Sequence, residues 1–109
     1  MQTIVQVICK KGTSLRDAIA NDKKLDLHCF EIIQEKKQGR SPGWLKLKST
    51  FEGRQGALNM QWGSDTNILT CRVVNRGNGE PSSFVGDFVD YLMARHTRRI
   101  NAIQVLPQK

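Results

Sequence analysis

The sequence predicts an α+β domain: a mainly antiparallel sheet of five or six strands with two helices packed on one face. Three observations carry that expectation. Several short runs alternate apolar and polar residues, and clusters of Gly, Asn, Asp, Ser and Pro separate them at hairpin spacing. One late segment, Phe84 to Met93, instead repeats its apolar residues at helical spacing. The order along the chain is strand, helix, four strands, helix, strand, an arrangement that segregates helices to one side of a sheet. At 109 residues, 39% of them hydrophobic, the chain suits a single domain, 1–109, with one core and no internal boundary.

The elements follow in order. Residues 3–9, TIVQVIC, are β-branched and apolar with little periodicity, which suggests a strand covered on both faces. Lys10, Lys11 and Gly12 close it. Ser14 then precedes Leu15, with Asp17 three positions on as a capping-box-like pair, and Leu15, Ala18 and Ile19 form the buried stripe of a short helix that ends near Asn21 to Lys24. Residues 27–35, LHCFEIIQE, hold β-formers and read as the next strand.

After the turn-rich KKQGRSPG comes WLKLKSTF, residues 44–51. Its alternation places Leu45, Leu47, Ser49 and Phe51 on one side and Trp44, Lys46, Lys48 and Thr50 on the other, with the leucine side toward the core. EGRQG leads into ALNMQW, and GSDTN into ILTCRVVNR, giving a meander of antiparallel strands. RGNGEP reads as a loop whose Ser82 or Ser83 caps the last helix, with Phe84, Val85, Phe88, Val89, Leu92 and Met93 as its apolar face. Arg95, His96, Arg98 and Arg99 gather at its carboxyl end, where the helix dipole favours cations. A final strand, INAIQVL, is expected to stop at Pro107.

Charge points toward function. Lys and Arg number 17 against 10 Asp and Glu, a net +7, so polyanions are the natural partners. Between residues 36 and 54, Lys36, Lys37, Arg40, Lys46, Lys48 and Arg54 face only Glu52, so this window carries +5 of that charge. A β-ribbon with Lys36, Lys37, Arg40, Lys46, Lys48 and Arg54 along its wet side can grip phosphates, while Trp44 stacks on an unpaired base. The expected function is therefore a small basic cytoplasmic binding domain that contacts nucleic acid, single strands in preference. Exposed lysines also keep sheet edges from pairing, and that solvated-face reading competes directly.

The alternative class is a protein-interaction or regulatory module, in one form a homodimer, without catalytic activity. Its motive is the number of large apolar residues, with Trp44 then an anchor at a protein contact. Catalysis is the less favoured reading. His28 and Cys29, read as neighbours in a strand, point to opposite faces and cannot share an ion or substrate, and no CxxC, HxxxH or zinc spacing occurs. GNGEPSS lacks the GxGxxG and GxxxxGK[ST] phosphate patterns. Asp87 and Asp90 read as solvated acids. No stretch matches a ribonucleoprotein motif, a KH loop, a zinc finger or a helix-turn-helix, and no cofactor is expected.

Cys9, Cys29 and Cys71 are three thiols among apolar neighbours, expected to be buried and reduced, which points to the cytosol. The apolar run at the start is too short for a signal-peptide core or a membrane span, so no membrane partner is expected.

Overall fold

The protein's structure, a computed structural model, describes residues 2–12, 14–35, 39, 42–51, 56–74 and 81–108, the side chains of 81, 82 and 108 excepted. Six strands form one antiparallel sheet: β1 (Gln2–Cys9), β2 (Phe30–Gln34), β3 (Trp44–Ser49), β4 (Ala57–Gly63), β5 (Ile68–Val74) and β6 (Ile100–Gln108). Their spatial order is β2-β3-β4-β5-β1-β6. Helices α1 (Leu15–Ala20) and α2 (Pro81–His96) complete the order expected from the sequence.

One face of the sheet holds the core. Alternation in β1 buries Thr3, Val5, Val7 and Cys9 and leaves Ile4, Gln6 and Ile8 half-buried, so this strand is fully covered on one face and partly on the other, not fully on both as its composition suggested. The same period buries Leu45 and Leu47 in β3, Leu58 and Met60 in β4, and Leu69, Cys71 and Val73 in β5. Phe51 falls past the end of β3 and is 51% exposed, so it does not join the leucine side.

α1 begins where Ser14 Oγ accepts from the Asp17 backbone N–H at 3.3 Å, and it buries Leu15 and Ile19. The reciprocal half of a capping box is replaced: Asp17 Oδ1 instead takes a hydrogen bond from Arg16 Nη1 at 3.0 Å. Arg16 also donates to the carbonyl of Trp44 from Nε and Nη2, at 3.2 and 3.0 Å, and to that of Glu35 at 2.8 Å. One basic side chain thereby ties α1 to the adjoining ends of β2 and β3.

α2 opens at Pro81, whose missing N–H costs nothing in a first turn, so Ser82 and Ser83 lie inside the helix and do not cap it. Its buried stripe is Phe84, Val85, Phe88, Tyr91 and Leu92, while Met93 is 51% exposed. Tyr91, not Met93, completes the face because it sits seven residues after Phe84 and three after Phe88. Phe30 from β2 packs among Phe84, Phe88 and Tyr91 at ring-centroid distances of 5.6, 6.0 and 5.9 Å. Each such burial contributes roughly 2–3 kcal/mol, so packing rather than intrinsic propensity holds α2 to the sheet.

Between α1 and β2 the expected strand over 27–35 is shortened. A 3-10 turn at Leu25–His28 ends on Cys29, whose φ of 63° is left-handed, and only then does β2 begin. The Cys29 carbonyl accepts from the Thr50 N–H at 2.8 Å, which holds this uncommon conformation in place. Cys29 is thus half-buried in a turn and not in a strand, whereas Cys9 and Cys71 are buried.

Two turns explain their residues. Gly43 passes so close to β4 that a Cβ there would lie 2.8 Å from the Trp62 carbonyl oxygen, while the Trp62 N–H donates to the Gly43 carbonyl at 3.0 Å. Asn67, φ 56°, supplies the left-handed residue of the β4–β5 turn, its N–H bonded to the Gly63 carbonyl at 2.8 Å. β6 runs through Pro107 to Gln108 and does not stop before it, which an edge strand tolerates. Among the described residues no helix is long and apolar enough to cross a membrane.

Candidate functional site

Among the described residues the helices and the core occupy one face of the sheet and no helix covers the other, called here the open face, and the register fixes what stands beside what. Lys46 on β3 lies opposite Asn59 on β4, Asn59 opposite Arg72 on β5, and Arg72 opposite Ile4 on β1. One row along, Lys48 lies opposite Ala57 and Glu31. A third row runs Trp44, Gln61, Thr70, Gln6 and Gln104 across five strands. The open face is therefore rich in amides, with cations gathered toward β3 and β5.

The cations differ in how they are engaged. Lys48 Nζ lies 3.7 Å from Glu31 Oε2, both side chains about half exposed, a contact worth little in water. Lys46 is half-buried and Arg72 exposed, and among the described residues neither has an acidic partner. Their strands are separated by β4, so the two positive groups stand on backbones roughly 10 Å apart, with the Asn59 amide between them.

Trp44 does not play the part its alternation suggested. The register puts it on the open-face side, but it is only 4% exposed, and it stands outside the cluster of buried side chains beneath the helices. Alternation says which face a side chain takes, not whether that place is wet. With so little surface the indole has no face to offer a base, so Trp44 is removed as a stacking platform. Lys36, Lys37, Arg40 and Arg54 lie outside the described residues, as do residues 77–80 of the GNGEPSS segment.

The second basic cluster stays apart from the first. The Lys10 N–H donates to the Arg99 carbonyl at 2.9 Å, which sets Lys10 and Lys11 beside Arg98 and Arg99 at the far end of β1 and β6. β4 and β5 stand between that end and β3. Residues Ala94 to Arg99 line a cavity of about 500 Å³ there. Arg95 is not available to a ligand in it, because its guanidinium holds Asp22 through Nη2–Oδ1 at 3.0 Å and Nε–Oδ2 at 3.3 Å.

Asp22 is the centre of a network that the sequence reading missed. Its carboxylate accepts from Tyr91 Oη at 2.8 Å and from the Lys24 N–H at 2.9 Å, and Tyr91 Oη lies 2.8 Å from His96 Nε2. His96 Nε2 is 3.5 Å from Asp22 Oδ2, and His28 stands edge-on to the Tyr91 ring with centroids 5.3 Å apart. Burial opposes a charge on Asp22. The hydrogen bonds from Arg95, Lys24 and Tyr91 outweigh it and hold the carboxyl well below the usual carboxylate range.

Burial and the ionised Asp22 together push the Tyr91 hydroxyl well above its ordinary value. Burial likewise lowers His96, against the pull of Asp22 and with Arg99, Arg95 and His28 reinforcing it. The Asp22 side chain is 2% exposed and Tyr91 fully buried, so no substrate reaches the constellation. Its chemistry is that of a clamp joining the end of α2 to the segment after α1. Asp87 is half-buried and Asp90 exposed, and among the described residues no three His, Cys, Asp or Glu gather as a metal site.

Compared with protein-family models, curated proteins and solved structures, the chain matches none.

Proposed function

We propose that this protein is a binding domain for single-stranded nucleic acid and that the open face of its sheet is the contact surface. The observation that carries the reading is the row Lys46–Asn59–Arg72 on three adjacent strands, two cations that have no acidic partner among the described residues, flanking an amide on a face that no described helix covers. Lys46, Arg72 and, less strongly, Lys48 would hold phosphates, since such contacts supply most of the affinity for a polyanion. Asn59 and Gln61 would meet the edges of splayed bases. With Trp44 buried, stacking contributes nothing, and the mode is electrostatic with amide readout.

Titration with a fluorescein-labelled oligonucleotide, single-stranded and duplex, at several salt concentrations tests this. Each of Lys46→Glu and Arg72→Glu is expected to weaken single-strand binding, and the pair by at least about tenfold, with the far-ultraviolet circular dichroism unchanged. If only Lys46, Lys48 and Arg72 make contact, log K should fall against log salt with a slope of about −2. If Lys36, Lys37, Arg40 and Arg54 join them, the slope steepens to about −5, from about 0.7 per contact. Folded double variants that bind as tightly as the parent would end the proposal.

A further inference from the structure

One strand pair carries an extra residue where charge collects. Between β1 and β6 the register runs Ile8↔Ala102 and then Cys9↔Ile100, so Asn101 is one residue too many on β6. An unbroken ladder would put Ile100 opposite Lys10. The bulge puts Arg99 there instead, and the Lys10 N–H donates to its carbonyl at 2.9 Å. Bulges of this kind re-aim side chains and concentrate next to functional sites.

The consequence is a meeting of like charges. Arg98 and Arg99 come from the 3-10 turn that follows α2 (Thr97–Arg99), Lys10 and Lys11 from the end of β1, and all four are exposed. Like charges opposed across a strand pair are destabilising. Lys10, Lys11 and Arg98 have no acidic partner among the described residues, and Asp22, the carboxylate that Arg95 and His96 meet, is already held by the clamp. A repulsion that the fold builds in without relieving it breaks a local rule, as functional sites do.

Space stands beside the charge. The cavity lined by Ala94 to Arg99 measures about 500 Å³, within the roughly 300–1,000 Å³ of small-molecule sites. The carboxyl end of α2 opposes an anion there with roughly half a negative charge, which four full positive charges outweigh. Carbonyls at this end are also occupied, that of Met93 by Thr97 Oγ1 and that of Thr97 by the Ile100 N–H. One phosphate group carries roughly two negative charges, so two such groups balance Lys10, Lys11, Arg98 and Arg99. We infer that this cavity is a binding site for a small diphosphate, held by Arg98 and Arg99 from its wall and by Lys10 and Lys11 from the adjoining end of β1.

Isothermal titration calorimetry of the full chain with inorganic pyrophosphate, in chloride buffer of fixed ionic strength, tests the site. One saturable site is expected. Arg98→Gln should weaken it at least about tenfold, and Lys10→Gln with Lys11→Gln by as much, all at exposed positions where the fold tolerates change. The open-face pair Lys46→Glu with Arg72→Glu should leave the affinity within about twofold. An absence of saturable binding would overturn the inference. So would binding that survives Arg98→Gln and the lysine pair combined, or that the open-face pair abolishes. Because pyrophosphate carries no base and the open-face pair serves as the control, this inference and the nucleic-acid proposal can fail separately.

Discussion

Trp44→Ala should cost about 3–5 kcal/mol of stability in chemical unfolding while changing oligonucleotide affinity of the folded protein by less than about twofold. The indole is 4% exposed, so truncation removes a large buried surface and leaves a cavity. The backbone of the same residue is a junction, since the Trp44 carbonyl takes two hydrogen bonds from Arg16. Were the ring instead a base platform, the variant would stay stable and lose affinity for single strands more than for duplex. The two outcomes have opposite signatures, and a stable, weakly binding variant would restore the stacking role.

Asp22→Ala should destabilise the fold by about 3 kcal/mol, the cost of leaving Tyr91, the Lys24 N–H and the Arg95 guanidinium without their shared acceptor. Tyr91→Phe keeps the ring packing and should lose only about 1–2 kcal/mol. The same cluster sets a pH dependence. His96 faces Tyr91, Asp22, Arg95, Arg99 and His28, and burial keeps it neutral with a lowered pKa. The unfolded chain therefore binds this proton first, so His96's contribution is present above about pH 6.5 and is lost as pH falls toward its folded value.

His96→Gln should flatten that slope. Asp22, whose folded value is depressed, contributes above the usual carboxylate range and loses its contribution only in strong acid. Urea midpoints measured from pH 2 to 8 check both. An Asp22→Ala chain within about 1 kcal/mol of the parent would show that Asp22 is no clamp.

How much of this was legible follows from the range over which each feature is encoded. α1 could be read because Ser14, Leu15 and Ile19 lie within one turn and a half of each other, and the meander because Leu45, Leu47, Leu58, Met60, Leu69 and Cys71 alternate locally. The 3-10 turn before β2 could not, since a left-handed cysteine has no local signature and is held by Thr50, far along the chain. The Asp22 network joins residues 69 positions apart, and neither partner has a distinguishing neighbour.

The candidate face shows the same division. The outward turn of Lys46 and Lys48 was legible from WLKLK, whereas the place of Arg72 beside them needed the β3–β4–β5 register. What covers Trp44 is likewise a tertiary matter. The strand pattern gave Trp44, Lys46 and Lys48 a common face but could not tell that the indole is buried there.

The most direct test of the open face is a nitrogen-15 correlation spectrum recorded during titration with a short single-stranded oligonucleotide. The amides of Lys46, Asn59, Gln61 and Arg72 should shift together, with those of Tyr91 and His96 unmoved. Shifts confined to Lys10, Lys11, Arg98 and Arg99 at the far end of the sheet would contradict the open-face site.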